Sequence, residues 1–312
     1  MNSIQRLGIG LAALGRPAYI NVGRADELPP DRSVEEMRQA TWDVLDAAYA
    51  AGVRWMDAAR SYGRSEEFLG GWLTARDPEG VTVSSKWGYT YVGDWKIDAP
   101  VHEIKEHGLD RYRTQYAESL GFLNGHLSVY QVHSLTEESP LFQDVRLQEA
   151  LAEAAADGVR VGFSTSGPRQ ADTIRRALEL EVSGRRLFRT VQSTWNILET
   201  SAGEALREAR DAGLHVLLKE VLANGKLAVR PPMAASTLAS EKGVGPDALA
   251  LAAALSRPWA DTVLMGAVSP AQLEANLVVK EVDLSEDELE VLSGLSVPAD
   301  GYWAERSALP WT

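Results

Sequence analysis

SVEEMRQATWDVLDAAYAAGVRWMD, residues 33–57, carries both periods that decide the fold. Met37, Ala40, Thr41, Val44, Leu45 and Ala48 recur at helical spacing, and Gly52 stands just past the stripe, where a left-handed residue ends a helix. VRWMD (53–57) follows at once as a short apolar run closed by an aspartate. This unit repeats outward in both directions. RLGIG (6–10) precedes it, and VTVSS (81–85), LSVYQ (127–131), VRVGF (159–163), FRTVQ (188–192), LHVLL (214–218) and DTVLM (261–265) follow. Helical stretches such as VRLQEALAEAAADG, ADTIRRALELEVSG and AGEALREARDAG separate them, each ending at glycine. Strands that are apolar throughout are expected where helices cover the sheet.

Repeated strand–helix units admit either an open doubly wound sheet or a closed barrel. An open sheet gathers its chemistry at one crevice, whereas a barrel draws it from the C-terminal ends of many strands. Asp57, Lys86, His133, Ser164, Gln192 and Lys219 each close or directly follow an expected strand. That distribution predicts a (β/α)8 TIM barrel, one domain over 1–312. The segments 87–108 and 224–245, and the tail after 296, break the rhythm and are expected to wall a pocket over the barrel top.

Composition narrows the function. Lys and Arg number 31 against 44 Asp and Glu, a formal charge of −13, which disfavours a nucleic-acid or anionic-membrane partner. There is no cysteine, so thiolate catalysis, disulfides and cysteine metal sites are excluded. The Ala/Leu-rich piece 247–260 is too short to span a bilayer, and no secretory leader pattern is visible, so a cytoplasmic monomer or small homo-oligomer is expected.

Several motifs carry nothing. GIGLAA (8–13) fits the spacing of a dinucleotide fingerprint, but Pro17 interrupts the helix that such a motif must open. The histidines of HEIKEH (102–107) are five apart, not the four that a zinc pair on a helix needs, so both read as solvated and no metal site is expected. His126 and His215 read as structural.

Asp57, Tyr62, Lys86 and His133 form the constellation of interest. Packing explains each of them alone more easily than all four together. A phenol near an ammonium is expected to have its pKa lowered from about 10. Tyr62 would then exchange a proton with a substrate oxygen, Asp57 would hold Lys86, and His133 would donate to the same oxygen. A carbonyl protonated in this way needs hydride at carbon, which a nicotinamide supplies. A hydrolase or isomerase using Asp57 and His133 without nicotinamide is a competing reading.

The segments WMDAARSYGRSEEFLG, VSSKWG, VYQVHS, VGFSTS, VQSTWNIL and VLMGAVSPAQLEANL, in this order along nearly the whole chain, resemble the aldo-keto reductase superfamily. The resemblance implies an NAD(P)-dependent oxidoreductase acting on an aldehyde, ketone, alcohol or sugar, with Asp57, Tyr62, Lys86 and His133 as catalytic tetrad. It places the cofactor, NADP or NAD, against Ser164, Thr165, Gln192, Lys219, Gly266, Ser269, Gln272 and Asn276. Three departures stand out. Thr165 replaces the usual asparagine, and Lys219 stands near the position of the family's nicotinamide-stacking aromatic. Gly266 and Gln272 replace the basic pair that grips a 2′-phosphate in many members. Trp87, Trp195 and Trp303 are the expected aromatic walls of the substrate pocket; Trp195 or another ring would replace the stacking aromatic, or the cofactor would bind differently. A cofactor-binding regulatory subunit of the same fold, as found in channel-associated members, is the alternative implied by the same resemblance.

Overall fold

The computed structural model describes residues 3–23 and 27–312. Twelve strands run in order: β1 (Leu7–Gly10), β2 (Trp55–Asp57), β3 (Thr82–Trp87), β4 (Tyr89–Tyr91), β5 (Glu103–Lys105), β6 (Leu127–Leu135), β7 (Arg160–Thr165), β8 (Glu181–Val182), β9 (Arg185–Arg186), β10 (Thr190–Thr194), β11 (His215–Lys219) and β12 (Thr262–Met265). Eight of them close a parallel barrel in the order β1-β12-β11-β10-β7-β6-β3-β2. The other four form the hairpins β4-β5 and β8-β9. The barrel expectation is therefore met, and the irregular segment 87–108 holds the first hairpin. The segment 224–245 holds α7 (Lys226–Val229) and α8 (Met233–Glu241).

The remaining helices are α1 (Val34–Ala50), α2 (Ser65–Arg76), α3 (Leu109–Phe122), α4 (Val145–Ala156), α5 (Gln170–Leu178), α6 (Gly203–Asp211), α9 (Pro246–Leu255), α10 (Pro270–Leu277), α11 (Glu286–Ser293) and α12 (Ala299–Ser307). In α1, Ser33 caps the N-terminus by accepting from the Glu36 amide, and the buried face is Met37, Thr41, Val44, Leu45 and Ala48. Among the described residues, no helix is long and apolar enough to cross a membrane.

Side chains alternate across each strand. Outward residues such as Ile9, Met56, Val83 and Phe163 join the large core between barrel and helices. Inside, Trp55, Val129, Leu217 and Leu264 form a separate apolar plug at the floor. Gly8 makes room for it: a Cβ there would lie 2.8 Å from Leu264 Cδ2. Above the plug the interior turns polar, with Asp57, Ser84, Gln131 and Gln192 all fully or nearly buried.

Candidate active site

Asp57 is the hub of that polar layer. Its Oδ1 accepts from Ser84 Oγ at 2.7 Å and Gln192 Nε2 at 3.0 Å, while Oδ2 accepts from Lys86 Nζ at 2.5 Å. Lys86 also donates to the Ala58 carbonyl at 2.9 Å. Both ions are buried, a condition tolerated only because each is paired and hydrogen-bonded. The Lys86 ammonium lies over the Tyr62 ring, 4.7 Å from its centroid. The Tyr62 and His133 rings meet edge to face at 5.4 Å. The structure thus brings all four predicted catalytic residues together at one rim.

The loop after β1 holds the turn that carries Tyr62. Arg64 donates its backbone N–H to the Gly15 carbonyl at 2.7 Å. A Cβ on Gly15 would sit 2.2 Å from the Tyr62 carbonyl and 2.5 Å from Ser65 Cβ, so the two backbones approach as only glycine allows. Gly15→Ala is expected to displace Tyr62 and lower kcat at least about tenfold, since misplacements of about 1 Å cost more than this. Steady-state kinetics beside a thermal melt checks it, and unchanged kcat contradicts it.

The electrostatics correct one expectation. Burial, reinforced by Asp57, holds the Tyr62 phenol well above its ordinary pKa, although Arg16 works in the opposite direction. Burial is the larger cause, and the Asp57 carboxylate, which is in contact with Lys86, adds to it. Burial likewise lowers the Lys86 pKa against the pull of Asp57. Burial and the surrounding cations Lys86, Lys219 and Arg16 push His133 well below the usual imidazole range, so it is neutral near pH 7. Its Nδ1 lies 3.3 Å from Ser61 Oγ. With the serine hydroxyl donating there, Nε2 carries the hydrogen and can donate to a substrate oxygen.

His102 and His107, expected to be solvated, are buried. His107 Nε2 donates to the His133 carbonyl at 2.8 Å, and its Nδ1 accepts from Ser139 Oγ at 2.9 Å, which bolts the end of β6 in place. Burial, then Lys105, lowers its pKa from 6.5 to about 4 despite that carbonyl bond. The folded-state value is depressed, so this stabilisation is complete above pH 6.5 and is lost as pH falls toward 4. Acid denaturation should show about 3 kcal/mol from this residue, and His107→Gln should lack that part of the slope. Identical slopes contradict it.

Two recesses meet at Tyr62. One is a slot running from Asp57, Tyr62 and Gln192 past Gly10 and Lys219 to Gly266 and Gly225. The other, about 260 Å³, is lined by Arg16, Tyr19, Tyr62, Tyr89, Glu103, His133, Ser134, Ser166, Lys219, Glu220, Arg306, Ser307 and Trp311, among others. Sequence reasoning missed most of this wall. Arg16 is buried under Tyr19, Tyr62 and Trp311 and paired with Glu103 at 2.7 Å. Arg306 on α12 grips Glu220 through two bonds, at 2.8 and 2.5 Å. Lys219 and Arg306 outweigh burial to hold the Glu220 pKa at about 2, and burial drops Lys219 to about 8.

The comparisons with known proteins agree with this geometry. Residues 6–296 match the profile of the Aldo/keto reductase family. The chain belongs to the aldo/keto reductase family. That family comprises NAD(P)-dependent oxidoreductases that transfer hydride to or from carbonyl and alcohol substrates. The aldo-keto reductase AKR11C1 from Bacillus halodurans, in a holo form, superimposes with a TM-score of 0.71 at 22% identity, covering 94% of this chain and 93% of that one. A Pseudomonas aeruginosa aldo-keto reductase gives 0.64 at 19% identity, over 88% and 90% of the two chains. Aldo-keto reductase str7 of Strobilurus tenacellus is 33% identical over 86 residues, 27% of this chain. The matched stretch spans about a fifth (22%) of that relative's length.

In this aldo/keto reductase the slot suits a nicotinamide. Gln192 Oε1 is buried with no hydrogen-bond partner, an acceptor available to a carboxamide NH2. Gly266 and Lys219 line the slot. Other expected cofactor residues are engaged elsewhere. Ser164 Oγ accepts from the Ser134 amide at 2.9 Å. Thr165, on the outer side of β7, pairs with Ser193 Oγ at 2.6 Å. Ser269 caps α10 and donates to Glu27 at 3.1 Å, while Gln272 accepts from the Val268 amide. Asn276 donates to Asp247 at 2.7 Å.

The three tryptophans expected to wall the substrate pocket lie elsewhere. Trp87 follows the inward Lys86 and so faces outward, buried against Tyr112 and His107. Trp195 lines a separate recess with Trp259 and Arg257, which removes it as a stacking ring for the slot. Trp303 is buried beside Tyr302, with Arg306 over its ring at 5.2 Å, behind the cations rather than in front of them. The wall is instead Tyr19, Tyr89 and Trp311, the last docked by pairing between Ile20 and Trp311 and stacked on His102 at 4.2 Å. The aromatic tail and Tyr89 in the long loop were the available signals.

Proposed function

We propose that this chain is an NAD(P)-dependent oxidoreductase that interconverts a polyhydroxylated, sugar-like carbonyl compound and its alcohol. The observation that carries the reading is the make-up of the 260 Å³ recess around Tyr62 and His133. Its rings offer faces to C–H groups. Its paired ions, Arg16–Glu103 and Arg306–Glu220, present donors and acceptors with little net charge. Hydroxyl groups can bond to both donors and acceptors on these ions, whereas a simple alkyl aldehyde offers them nothing beyond its carbonyl.

A bound nicotinamide supplies or accepts the hydride at the substrate carbon. Gln192 would receive its carboxamide, with Gly266 and Lys219 flanking the slot. Tyr62 stays protonated through burial and hands its proton to the substrate oxygen in reduction, or takes one back in oxidation. His133, neutral, donates to that oxygen and orients it. Asp57 and Lys86 set the field beneath the phenol. The family resemblance puts the adenosine end beyond Gly266. Glu27 at Ser269 and Asp247 at Asn276 place carboxylates there, which disfavours a 2′-phosphate and so favours NAD. A cytoplasmic setting and a monomeric or small homo-oligomeric state accompany this reading.

Quenching of tryptophan fluorescence by NADH and NADPH, then initial rates on aldoses, polyols and alkyl aldehydes, tests it. Tighter NADH binding and a kcat/KM at least about tenfold higher on the hydroxylated compounds are expected, the discrimination available to sites that pair substrate hydroxyls. Faster turnover of unfunctionalised aldehydes overturns the substrate class, and absence of quenching by either cofactor overturns the activity.

A further inference from the structure

The opposite end of the barrel holds a second site of different character. A recess of about 490 Å³ opens where the chain leaves α4 for β7, roofed by the β8-β9 hairpin. Arg160, Arg185, Arg186 and Arg189 line it, and no carboxylate does. In a chain where acids outnumber bases 44 to 31, such a concentration is far from the average. Most other arginines carry acid partners, among them Arg38, Arg60, Arg76, Arg175 and Arg207. Among the described residues, none of these four is salt-bridged, and no side-chain hydrogen bond is made by Arg160, Arg185 or Arg189.

The cluster is held in shape. Ser183 and Gly184 both take positive φ, 52° and 70°, the geometry of a tight two-residue hairpin turn. Val182 pairs with Arg185 and Glu181 with Arg186 across it. Arg186 is fixed by donating to the carbonyls of Leu178 and Ala212. Arg160 is half-buried, its guanidinium 5.5 Å over the Trp55 ring at the barrel floor. Burial alone lowers its pKa, with no opposing carboxylate. Positive charge with no acid partner at the recess is what an anionic guest would neutralise.

We infer that this recess binds a small multiply phosphorylated anion. Guanidinium forks match phosphate oxygens in paired, charge-assisted bonds. The volume exceeds that of the catalytic recess and falls in the range of ordinary ligand sites. Nucleic acid is the less suitable polyanion, because a net charge of −13 repels an extended phosphate backbone.

Calorimetric titration with inorganic tripolyphosphate tests the site. The wild type should bind one equivalent, more weakly as salt rises. Arg185 and Arg189 are exposed and unpartnered, so Arg185→Ala/Arg189→Ala should fold normally, with an unchanged melting midpoint and unchanged quenching by NADH. The loss of two charged hydrogen-bond donors should weaken tripolyphosphate binding by at least about tenfold, and Arg185→Glu more strongly. Absence of binding to the wild type overturns the inference. So does equal affinity in the double variant, which would place the anion in the cofactor slot. Tighter binding of a single-stranded oligonucleotide than of tripolyphosphate would overturn the assignment to a small anion.

Discussion

Tyr62→Phe should retain cofactor quenching while its turnover falls by about 10²–10⁴, the range for loss of a positioned general acid. The substitution removes one oxygen. The ring still packs against His133 at 5.4 Å and under Arg16, so neither the wall of the pocket nor the slot should change shape. His133 and the Asp57–Lys86 pair remain, which should preserve orientation and leave a residual rate. If KM changes little while kcat falls, the phenol acts in the reacting state rather than in binding. Near-wild-type kcat would remove Tyr62 from the proton transfer.

Asp57→Ala should lower stability by about 3–5 kcal/mol, because it strands the fully buried Lys86 ammonium with only the Ala58 carbonyl. Ser84 and Gln192 lose their shared acceptor in the same step, so the polar layer above the floor plug is disrupted as well. Asp57→Asn/Lys86→Met, which removes both charges at nearly the same volume, should recover most of the stability but not the turnover. Chemical denaturation of the three proteins checks it. A loss below about 1 kcal/mol in Asp57→Ala would mean that the pair is not the buried hub described, since that is the range of exposed pairs.

Much of this architecture was readable from local pattern. Each of the eight apolar runs overlaps a barrel strand, most beginning one or two residues before it, and several strands continue past the expected end: β3 to Trp87, β6 to Leu135, β7 to Thr165, β10 to Thr194 and β11 to Lys219. The extension is always toward the functional rim. Lys86 and Ser164 interrupt an apolar run yet keep a ladder partner, Gln131 and Gln192, whereas at His133 the β6–β7 register shifts between Val132 and Leu135. The candidate constellation was legible because Asp57, Lys86 and His133 close or follow apolar runs and Tyr62 lies five residues past the first of them. The two-residue alternation, applied strictly, would also have turned Trp87 and Thr165 outward from their inward neighbours Lys86 and Ser164.

The remainder depended on distant segments meeting. Arg16, Glu103 and Glu220 come from three separate connections after barrel strands, and Arg306 and Trp311 from the tail; nothing in the local sequence of any one announces its partner. The burial of His102 depends on Trp311 and that of His107 on the end of β6, two contacts of the same kind. The lowered phenol pKa failed as an expectation for a related reason. It considered Lys86 beside Tyr62 without the burial of the phenol, the larger effect, or the charge of Asp57 that adds to it.

Isotope transfer tests the central claim most directly. With both hydrogens at C4 of the reduced nicotinamide replaced by deuterium and a hydroxylated aldehyde as substrate, wild-type protein should place deuterium on the new carbinol carbon. Tyr62→Phe should do so about 10²–10⁴ times more slowly. Product free of deuterium, or equal rates in the two proteins, would contradict the account.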